Sequence, residues 1–490
     1  MASTDEPDEA TTPAPEPTDD LVTTAHSITV RRRKLNYTAT TGRVVLRREV
    51  STDGKFDGLL PKAEMFVTAY TLDGADPAQR PVTFAFNGGP GSASVWLHLG
   101  VLGPRRVVAP DAGAPVPPPY GLVDNTETLL AHSDLVFIDP VSTGYSRAAK
   151  GERAADFHGF KADLESVGEL IRLWTSRNGR WVSPKFLAGE SYGTTRAAGL
   201  AQHLQSRHGL YLNGLILISS VLDFATLDFT EGNDLPYALF LPSYAAIAHY
   251  HGLHGDRDLQ EVLTVAEAFA ATDYPHALSQ GSRLSTEDYQ AAVATTARLT
   301  GLSEDYVDRV NLRIEHIRFF TELLRHRKQT VGRLDGRFTG WEADYGREHM
   351  SEDPASAAIM GAYTAGINHY LHTELAYPND LPYEVLSLDV NRNWSWKEFE
   401  NAHVTVTDKL AAAMRANPHL RVHVASGYTD GATPYFATEH SLARLNIPAV
   451  LRDNIEVSYY GAGHMMYLHE PSRVQQSKDI AAFVNKSTNR

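Results

Sequence analysis

A G-x-S-x-G pattern, GESYG at Gly189–Gly193, places one serine between two glycines. The short apolar run Lys185–Ala188 before it predicts a buried strand, and Thr194–Leu204 after it predicts a helix. Such a strand–turn–helix elbow lifts a serine hydroxyl clear of the backbone, and the turn is so tight that a Cβ at either flanking glycine would collide. Ser191 is therefore the candidate nucleophile, ahead of Ser146, whose segment lacks the second glycine.

A serine is a weak nucleophile unless a histidine takes its proton and an acid orients that histidine. Where this triad stands on a parallel sheet, the chain order is serine, then aspartate or glutamate, then histidine, and each residue follows a strand. Asp430 and His464 fit this order, because each follows a predicted strand within a glycine-containing turn. The rivals are weaker, since Asp453 precedes a strand and His469 is expected on the surface of the following helix.

The oxyanion that forms on serine attack needs two backbone N–H donors. One is expected from Tyr192, the residue after the serine. The second is expected from a glycine-rich loop after an early core strand, and Asn87–Ser92 (NGGPGS) follows Val82–Phe86 in that place. The same loop could be a plain turn, whereas a phosphate loop is disfavoured because no Gly-Lys-Ser/Thr follows.

Composition excludes several other kinds of site. The formal net charge of −14, without a long basic run, argues against nucleic-acid binding. The 490 residues include no cysteine, which excludes disulfides, thiolate metal sites and a cysteine nucleophile. His249, His251 and His254 could bind a metal, but no HExxH motif or carboxylate partner accompanies them. We therefore expect neither a metal nor another cofactor.

The N-terminal segment has the composition of a tail. Met1–Asp20 is acidic and rich in Thr, Pro and Ala, and it lacks both the basic and the apolar region of a secretory signal. Residues 1–24 are therefore expected to be disordered. No apolar run approaches the length of a membrane span. We expect a soluble, cytoplasmic protein without a membrane partner, although export by another route stays open.

The remainder of the chain predicts a strand-rich core. Arg43–Glu49 and Glu64–Leu72 predict an antiparallel ribbon, joined through Asp-Gly turns at residues 53–54 and 57–58. Continuously apolar runs then predict strands covered on both faces, as in a parallel sheet with helices between the strands. These runs are Val82–Phe86, Leu135–Asp139, Lys185–Ala188, Leu215–Ser219, Val422–Ser426 and Glu456–Tyr460.

A long helical interval interrupts this series of strands. Ser285 or Thr286 can cap one helix and Ser303 can start another. Apolar residues recur at helical spacing at Ile314, Ile317, Phe320 and Leu324. We assign residues 225–380 as a helical cap inserted between two parts of one core, residues 25–224 and 381–490.

Five segments in this order resemble the serine carboxypeptidases, peptidase family S10. They are Asn87–Ser92, Asp139–Ser146, Gly189–Gly193, the turn at Asp430 and Gly461–Met465. The resemblance covers about residues 80–220 and 390–475. It implies an α/β-hydrolase fold, with a central, mostly parallel sheet, helices on both faces and an inserted helical cap. It also implies release of single amino acids from peptide C-termini.

The resemblance further implies roles for individual residues. The family's triad and oxyanion donors are matched by Ser191, Asp430, His464, Gly89 and Tyr192. Asn87 and Glu190 match the residues that bind the terminal carboxylate of the substrate. An ionised glutamate would repel that carboxylate, whereas a desolvated glutamate with a raised pKa stays protonated and donates a hydrogen bond.

Two positions depart from the family pattern. The family usually carries a second glutamate two residues before a Gly-Pro pair; here the pair is Gly103-Pro104 and the position holds Val101. The family's usual cysteine after the glycine-rich loop is Ser92. The residues that bind the terminal carboxylate of the substrate form a carboxylate clamp, which here contains one acid, Glu190. Activity is therefore expected to persist to higher pH than the resemblance implies, unless another acid from the cap replaces the missing one.

Three functional hypotheses follow. The first is a serine carboxypeptidase that cleaves the last peptide bond of a peptide through an acyl-enzyme on Ser191. The second keeps the triad but is an esterase or acyltransferase, and Val101 motivates it. The third is a non-catalytic binding protein on the same fold, which has little support because every expected catalytic position is filled.

Overall fold

The computed structural model describes residues 16–114 and 116–488, which form a central sheet flanked by helices. The strands are β1 (Val22–Val30), β2 (Arg33–Thr52), β3 (Lys55–Leu72), β4 (Val82–Phe86), β5 (Arg105–Val107), β6 (Leu122–Asp124), β7 (Asp134–Ile138), β8 (Arg147–Ala148), β9 (Lys185–Ser191), β10 (Gly214–Ser220), β11 (Thr330–Val331), β12 (Thr339–Gly340), β13 (Arg421–Gly427) and β14 (Ile455–Tyr460). The α-helices are α1 (Val95–Leu97), α2 (Phe160–Arg177), α3 (Tyr192–His208), α4 (Leu235–Tyr250), α5 (Leu259–Ala271), α6 (Asp273–Gln280), α7 (Thr286–Thr300), α8 (Glu304–Arg309), α9 (His316–Glu322), α10 (Pro354–His369), α11 (Leu388–Arg392), α12 (Thr407–Ala416), α13 (Tyr435–Ala443), α14 (Ala449–Arg452) and α15 (Glu470–Thr488). Shorter turns include a π-helix at His98–Leu102 and a 3-10 helix at Met466–Leu468.

The central sheet has the order β1-β2-β3-β7-β4-β9-β10-β13-β14, with β8 paired to β3. The strands from β1 to β7 in this order pair antiparallel. From β7 onward every pair is parallel. Parallel strands end at the same edge of a sheet, so the loops after β4, β9, β13 and β14 lie along one rim, where α/β proteins place their ligands.

Each face of the parallel part is covered by helices. On β10, Leu215 and Leu217 pack into one core with α2 and α3. Ile216 and Ile218 point the other way, into a core that includes Ile480 on α15. Because both faces are covered, these strands read as continuous apolar runs rather than alternating ones. The predicted mostly parallel sheet with helices on both faces is confirmed.

The predicted strands are present, but the hairpin before them differs from the prediction. β2 and β3 are much longer than the predicted ribbon and pair along almost their whole length. The chain reverses at Asp53 and Gly54, which both have positive φ. Gly58 lies inside β3, opposite Val50, so the second predicted turn is wrong. An Asp-Gly pair permits a turn, but a neighbouring strand in register decides whether the chain takes it.

The predicted tail ends earlier than residue 24. Residues 1–15 lie outside the described residues, but β1 pairs with β2 from Val22 onward. Asp20 already contacts the core, since its carboxylate lies 2.7 Å from the guanidinium of Arg43. The boundary at residue 24 is therefore wrong. The sequence of β1 is mostly polar, and a polar edge strand carries little signal beyond its alternation.

The interval between β10 and β13 holds α4 to α12 and the small β11–β12 hairpin. Helices α4 to α9 share a separate apolar core that includes Ile314, Phe320 and Leu324. The buried residues of α10 belong instead to one of the cores that cover the sheet. Ser285 and Ser303 cap α7 and α8 by accepting backbone hydrogen bonds, as predicted. The helical spacing was misleading at its ends, because Ile314 and Leu324 flank α9 rather than belong to it.

Two further features of the sequence concern membrane spans and the histidines at residues 249, 251 and 254. Within residues 16–114 and 116–488, none of the helices combines the length and apolarity needed to cross a membrane. His249, His251 and His254 each hydrogen-bond a backbone carbonyl through Nε2. In the same described ranges, no group of three or more His, Asp or Glu side chains converges as metal ligands do.

Candidate active site

Ser191 occupies the sharp turn between β9 and α3. Its backbone has φ 60° and ψ −131°, a strained conformation for a residue with a side chain. A Cβ on Gly189 would lie 2.2 Å from the carbonyl oxygen of Gly193, and one on Gly193 would lie 2.8 Å from that of Phe86. Both glycines are therefore needed for the backbone to close this turn, as the sequence pattern predicts.

Asp430 and His464 meet beyond the ends of β13 and β14. Nδ1 of His464 lies 2.8 Å from Oδ2 of Asp430, whose side chain is fully buried. The other carboxylate oxygen accepts the backbone N–H groups of Ala432 and Thr433. The hydroxyl of Thr433 donates to Oδ2. Because Nδ1 faces a carboxylate, it carries the imidazole hydrogen, and Nε2 is left to accept a proton.

The serine and the histidine stand at the same rim of the sheet. Ser191 pairs in register with Ser220 at the end of β10. The neighbouring Ser219 donates its hydroxyl to the carbonyl oxygen of His464 across 2.6 Å. The structure thus brings the loops that carry all three predicted triad residues to the carboxyl ends of adjacent parallel strands.

The surroundings of His464 suit a general base. Burial alone would lower the pKa of His464, but the charge of Asp430 and the hydrogen bond to it raise the pKa above its ordinary value. The charge of Glu190 acts in the same direction. An imidazolium that forms when the serine loses its proton is therefore stabilised by a buried carboxylate.

The glycine-rich loop lies against the start of α3. A Cβ on Gly88 would lie 2.4 Å from the backbone nitrogen of Tyr192 and 2.7 Å from that of Gly193. The first N–H groups of a helix have no partner within the helix, and they lie at the positive end of its dipole. Gly89, with φ +103°, follows in the same loop. The predicted oxyanion donors, Gly89 and Tyr192, therefore belong to two segments in contact.

Glu190 is held between two side chains. Oε1 accepts a hydrogen bond of 2.9 Å from Nδ2 of Asn87, and Oε2 accepts one of 2.8 Å from the hydroxyl of Tyr467. The amide of Asn87 is oriented by the backbone N–H of Leu97, which donates to its oxygen. The structure thus brings together the two residues predicted to bind a terminal carboxylate, and it adds Tyr467.

The environment of Glu190 favours its protonated form. Burial raises its pKa to about 7, and the negative charge of Asp430 contributes in the same direction. The positive form of His464 and the hydrogen bonds from Tyr467 and Asn87 partly oppose this rise. Near neutral pH a large fraction of Glu190 therefore carries a proton that it can donate.

The position of the missing second acid is apolar and closed. Val101 is 1% exposed and lies in the π-helix His98–Leu102. Its carbonyl accepts a hydrogen bond from Asn125. The preceding Gly100 faces the ring of Tyr467, because a Cβ there would lie 2.4 Å from that ring. Tyrosines therefore stand beside the site where the family has an acid.

A buried ion pair supports the glycine-rich loop Asn87–Ser92, and the sequence did not predict this pair. Arg196 on α3 donates to Asp163 across 2.8 Å and to the backbone carbonyl of Asn87 across 2.6 Å. Its guanidinium also lies over the rings of Phe86 and Tyr192. A basic residue on a helix usually faces water. A signal that Arg196 is buried would have been the small residues around it on α3.

The cap contributes backbone contacts to the acid and the base. The carbonyl of Leu334 accepts the backbone N–H of His464 across 2.6 Å. The carbonyl of Arg333 accepts that of Gly431, the residue after Asp430. One segment of the inserted region, residues 333–334, therefore hydrogen-bonds the loops that carry Asp430 and His464.

The rival residues lie in other surroundings. The hydroxyl of Ser146 donates to the carbonyl of Asp139 and accepts a hydrogen bond from the backbone N–H of Phe66, so it is already engaged both as a donor and as an acceptor. His469 lies directly before α15 and bonds a serine of that helix. Asp453 lies between α14 and β14, at the opposite end of that strand from His464.

Comparison with known proteins identifies the family. The sequence model described as "Serine carboxypeptidase", peptidase family S10, matches residues 62–454. Serine carboxypeptidase-like 22 of Arabidopsis thaliana is 22% identical over 382 residues, 76% of this chain and 72% of that protein. A proline iminopeptidase structure from Mycobacterium smegmatis covers 90% of this chain and 99% of its own, at 16% identity and TM-score 0.35. A carboxyl esterase structure from Bacillus coagulans covers 96% and 99%, at 12% identity and TM-score 0.37. With the family model matching most of its length, this chain belongs to the serine carboxypeptidases of peptidase family S10, which are serine hydrolases with the α/β-hydrolase fold.

Proposed function

We propose that this protein is a serine carboxypeptidase that releases C-terminal amino acids from peptides. One observation supports this activity in particular: Glu190, next to the candidate nucleophile, is buried and hydrogen-bonded by Asn87 and Tyr467. A buried carboxyl with a pKa near neutrality can donate a hydrogen bond to another carboxylate, which an ionised glutamate cannot.

In the proposed reaction, the hydroxyl of Ser191 attacks the carbonyl carbon of the last peptide bond. Nε2 of His464 takes the hydroxyl proton, and Asp430 holds the imidazole and stabilises its positive charge. The N–H groups of Gly89 and Tyr192 stabilise the oxyanion. His464 then gives its proton to the departing amino group, which leaves an acyl-enzyme on Ser191.

Deacylation repeats these steps with water. A water molecule enters the place of the departed amino acid and gives its proton to His464 as it attacks the acyl carbon. Collapse of the second tetrahedral intermediate returns the proton to Ser191 and releases the shortened peptide. Asn87 and Glu190 take no part in the bond changes; they position the terminal carboxylate so that the last peptide bond is presented to Ser191.

The test compares a blocked dipeptide that has a free terminal carboxylate with its C-terminal amide. The proposal expects faster release of free amino acid from the acid than of amino acid amide from the amide. Equal turnover of the two would remove the carboxypeptidase assignment and leave a serine hydrolase of another specificity.

A second candidate is an esterase or acyltransferase that uses the same residues. Val101, buried where the family has an acid, favours it because the carboxylate clamp is incomplete. This candidate predicts fast turnover of short acyl esters and no release of amino acids from any peptide. Labelling by a fluorophosphonate that is lost in Ser191→Ala would support both enzymatic candidates and contradict a purely binding role.

A further inference from the structure

The carboxylate clamp lacks a donor on one side. A substrate carboxylate has two oxygens to satisfy, and protonated Glu190 offers a single O–H. Nδ2 of Asn87 is already shared with Glu190. The position from which the family contributes a second acid is Val101, which has no polar atom in its side chain. A further donor in this place would complete the clamp.

Tyr363, on helix α10 of the inserted region, lies beside this position. Its hydroxyl would be 2.9 Å from a Cβ on Gly100, the residue before Val101. The side chain is 1% exposed, and its ring packs on Trp96 with the ring centres 4.8 Å apart. Burial and the contact with Trp96 therefore restrict the direction of the hydroxyl.

The hydroxyl of Tyr363 makes no hydrogen bond to any residue in the part of the chain that the structure describes. Several other buried tyrosines do have such a partner: Tyr70 and Tyr370 bond each other, Tyr383 bonds Asp139, and Tyr467 bonds Glu190. This oxygen is not among the described polar atoms that are both sealed from solvent and unpaired. The hydroxyl of Tyr363 therefore has no protein partner among the described residues and can donate its hydrogen to water or to a bound ligand.

The charges around Tyr363 suit an anionic ligand. Burial raises the pKa of Tyr363, and the charge of Glu190 raises it further, while Arg106 and Arg473 lower it. The charges of Glu190 and of the two arginines therefore all act on the Tyr363 hydroxyl. Arg473 is paired with Glu127, but the buried Nε of Arg106 has no hydrogen-bond partner among the described residues. A bound carboxylate would meet both a neutral donor and a nearby positive charge.

We propose that the hydroxyl of Tyr363 is the second hydrogen-bond donor for the terminal carboxylate of the substrate, in place of the acid that Val101 replaces. This inference rests on the proposed carboxypeptidase activity and assigns part of its specificity to the inserted region. A phenol differs from a carboxyl in one useful respect, since it keeps its proton throughout the pH range in which Glu190 loses its own. Tyr363 therefore preserves part of the carboxylate binding at pH values above the pKa of Glu190, where the ionised glutamate weakens it.

The test is the variant Tyr363→Phe, which removes only the hydroxyl. The substrates are a blocked dipeptide with a free carboxylate, its C-terminal amide, and a short neutral acyl ester. Loss of a hydrogen bond to a charged group is expected to raise KM for the free-acid peptide roughly ten- to a hundred-fold, with little change in kcat. Turnover of the ester is expected to be unchanged, and above the pKa of Glu190 the preference for acid over amide is expected to disappear.

Tyr370→Phe is the matched control, because it also removes the hydroxyl of a buried tyrosine, but one that bonds Tyr70 rather than lying beside Gly100. Its preference for the acid over the amide is expected to equal that of the wild type. The thermal unfolding midpoint of Tyr363→Phe is expected to stay close to the wild-type value, because the hydroxyl has no partner within the described protein.

The outcomes separate this inference from the proposed function. If the wild type prefers the acid and Tyr363→Phe keeps that preference at every pH, the role of Tyr363 is wrong while the carboxypeptidase stands. An equal loss for acid, amide and ester would likewise assign Tyr363 a structural role only. If the wild type shows no preference for the acid, the proposed function itself is wrong.

Discussion

The hydroxyl of Tyr467 donates a 2.8 Å hydrogen bond to Oε2 of Glu190, joining residues 277 positions apart in the chain. Glu190 precedes the candidate nucleophile and Tyr467 lies three residues after the candidate base. The two ends of the candidate triad are thus linked through the carboxyl group that is proposed to recognise the substrate. The protonation of that carboxyl should therefore affect mainly the binding of the substrate carboxylate, and it also changes the pKa of His464 through the charge of Glu190.

The wild-type pH profile tests this separation. Because burial raises the pKa of Glu190 to about 7, its carboxyl is protonated below that pH and ionised above it. We expect kcat/KM for a free-acid peptide to fall as pH rises through about 7, since ionised Glu190 repels the substrate carboxylate. Hydrolysis of a neutral ester should instead rise as His464 loses its proton and then stay level. A shared alkaline decline for both substrates would contradict a role of Glu190 in carboxylate binding.

Removal of the Tyr467 hydroxyl should shift this profile. The hydrogen bond from Tyr467 stabilises the ionised form of Glu190 and so lowers its pKa. In Tyr467→Phe the pKa rises, and the alkaline limb for free-acid peptides is expected to move up by roughly one pH unit. Tyr460→Phe is the control, because the hydroxyl of Tyr460 bonds Asp479 instead. An unshifted limb in Tyr467→Phe, measured from kcat/KM against pH, would remove Tyr467 from the clamp.

The acid of the candidate triad can be tested against its rival. In Asp430→Asn the side chain keeps its shape but loses the charge that stabilises the imidazolium of His464, so kcat is expected to fall by roughly 10³–10⁴-fold. Asp453→Asn should retain wild-type kcat, since Asp453 precedes β14 and lies away from the rim. Near-wild-type ester hydrolysis by Asp430→Asn would show that another group orients His464.

Substitution of Gly461 and of Gly463, two glycines in the turn before His464, is expected to have different effects on activity and stability. A Cβ on Gly463 would lie 2.4 Å from Cβ and 2.5 Å from Cα of Asp335, and backbone atoms cannot move aside. Gly463→Ala is therefore expected to displace His464, with a fall in kcat and in the thermal unfolding midpoint. A Cβ on Gly461 would meet nothing within 4 Å, so Gly461→Ala is expected to be tolerated. Equal behaviour of the two variants would contradict the described contact between this turn and the inserted region.

The buried ion pair under the glycine-rich loop predicts a large effect on stability. Arg196→Met leaves Asp163 buried without its cation and frees the carbonyl of Asn87, so we expect a loss of about 3–5 kcal/mol in the free energy of unfolding. Arg309→Met breaks an exposed pair with Asp305 and should cost about 0–1 kcal/mol. Denaturant unfolding measures both values. If Arg196→Met cost no more than Arg309→Met, the Arg196–Asp163 pair would not support the loop.

Local sequence carried most of the information on the core. The predicted strand Val82–Phe86 has the same bounds as β4. A strand covered on both faces is apolar along its length, so its first and last apolar residues mark its ends. The caps at Ser285 and Ser303 were also readable, since a capping hydroxyl acts within three residues of itself. The turn predicted at Gly58 was wrong because pairing with a distant strand overrode the local preference.

The residues around the candidate site also divide into those that the sequence predicts and those that it does not. The sequence predicts Asp430 and His464 because each lies in the loop that follows a strand, and parallel strands bring such loops to the same edge of the sheet. Tyr467, Tyr363 and Arg196 could not be named. Nothing in the sequence near the two tyrosines distinguishes a tyrosine that points at a carboxyl from one in the core, and the small residues around Arg196 are the one local sign of its burial.

The sequence alone was sufficient for the elbow at Ser191, the order of the candidate triad and the absence of a second acid at Val101. These depend on residue type, on short-range sterics and on the regular geometry of a parallel sheet. Only the tertiary structure decided that Glu190 is held between Asn87 and Tyr467 and that the hydroxyl of Tyr363 on α10 lies beside Gly100. Burial and its effect on a pKa arise from segments far apart in the chain, and no local pattern encodes which segments meet.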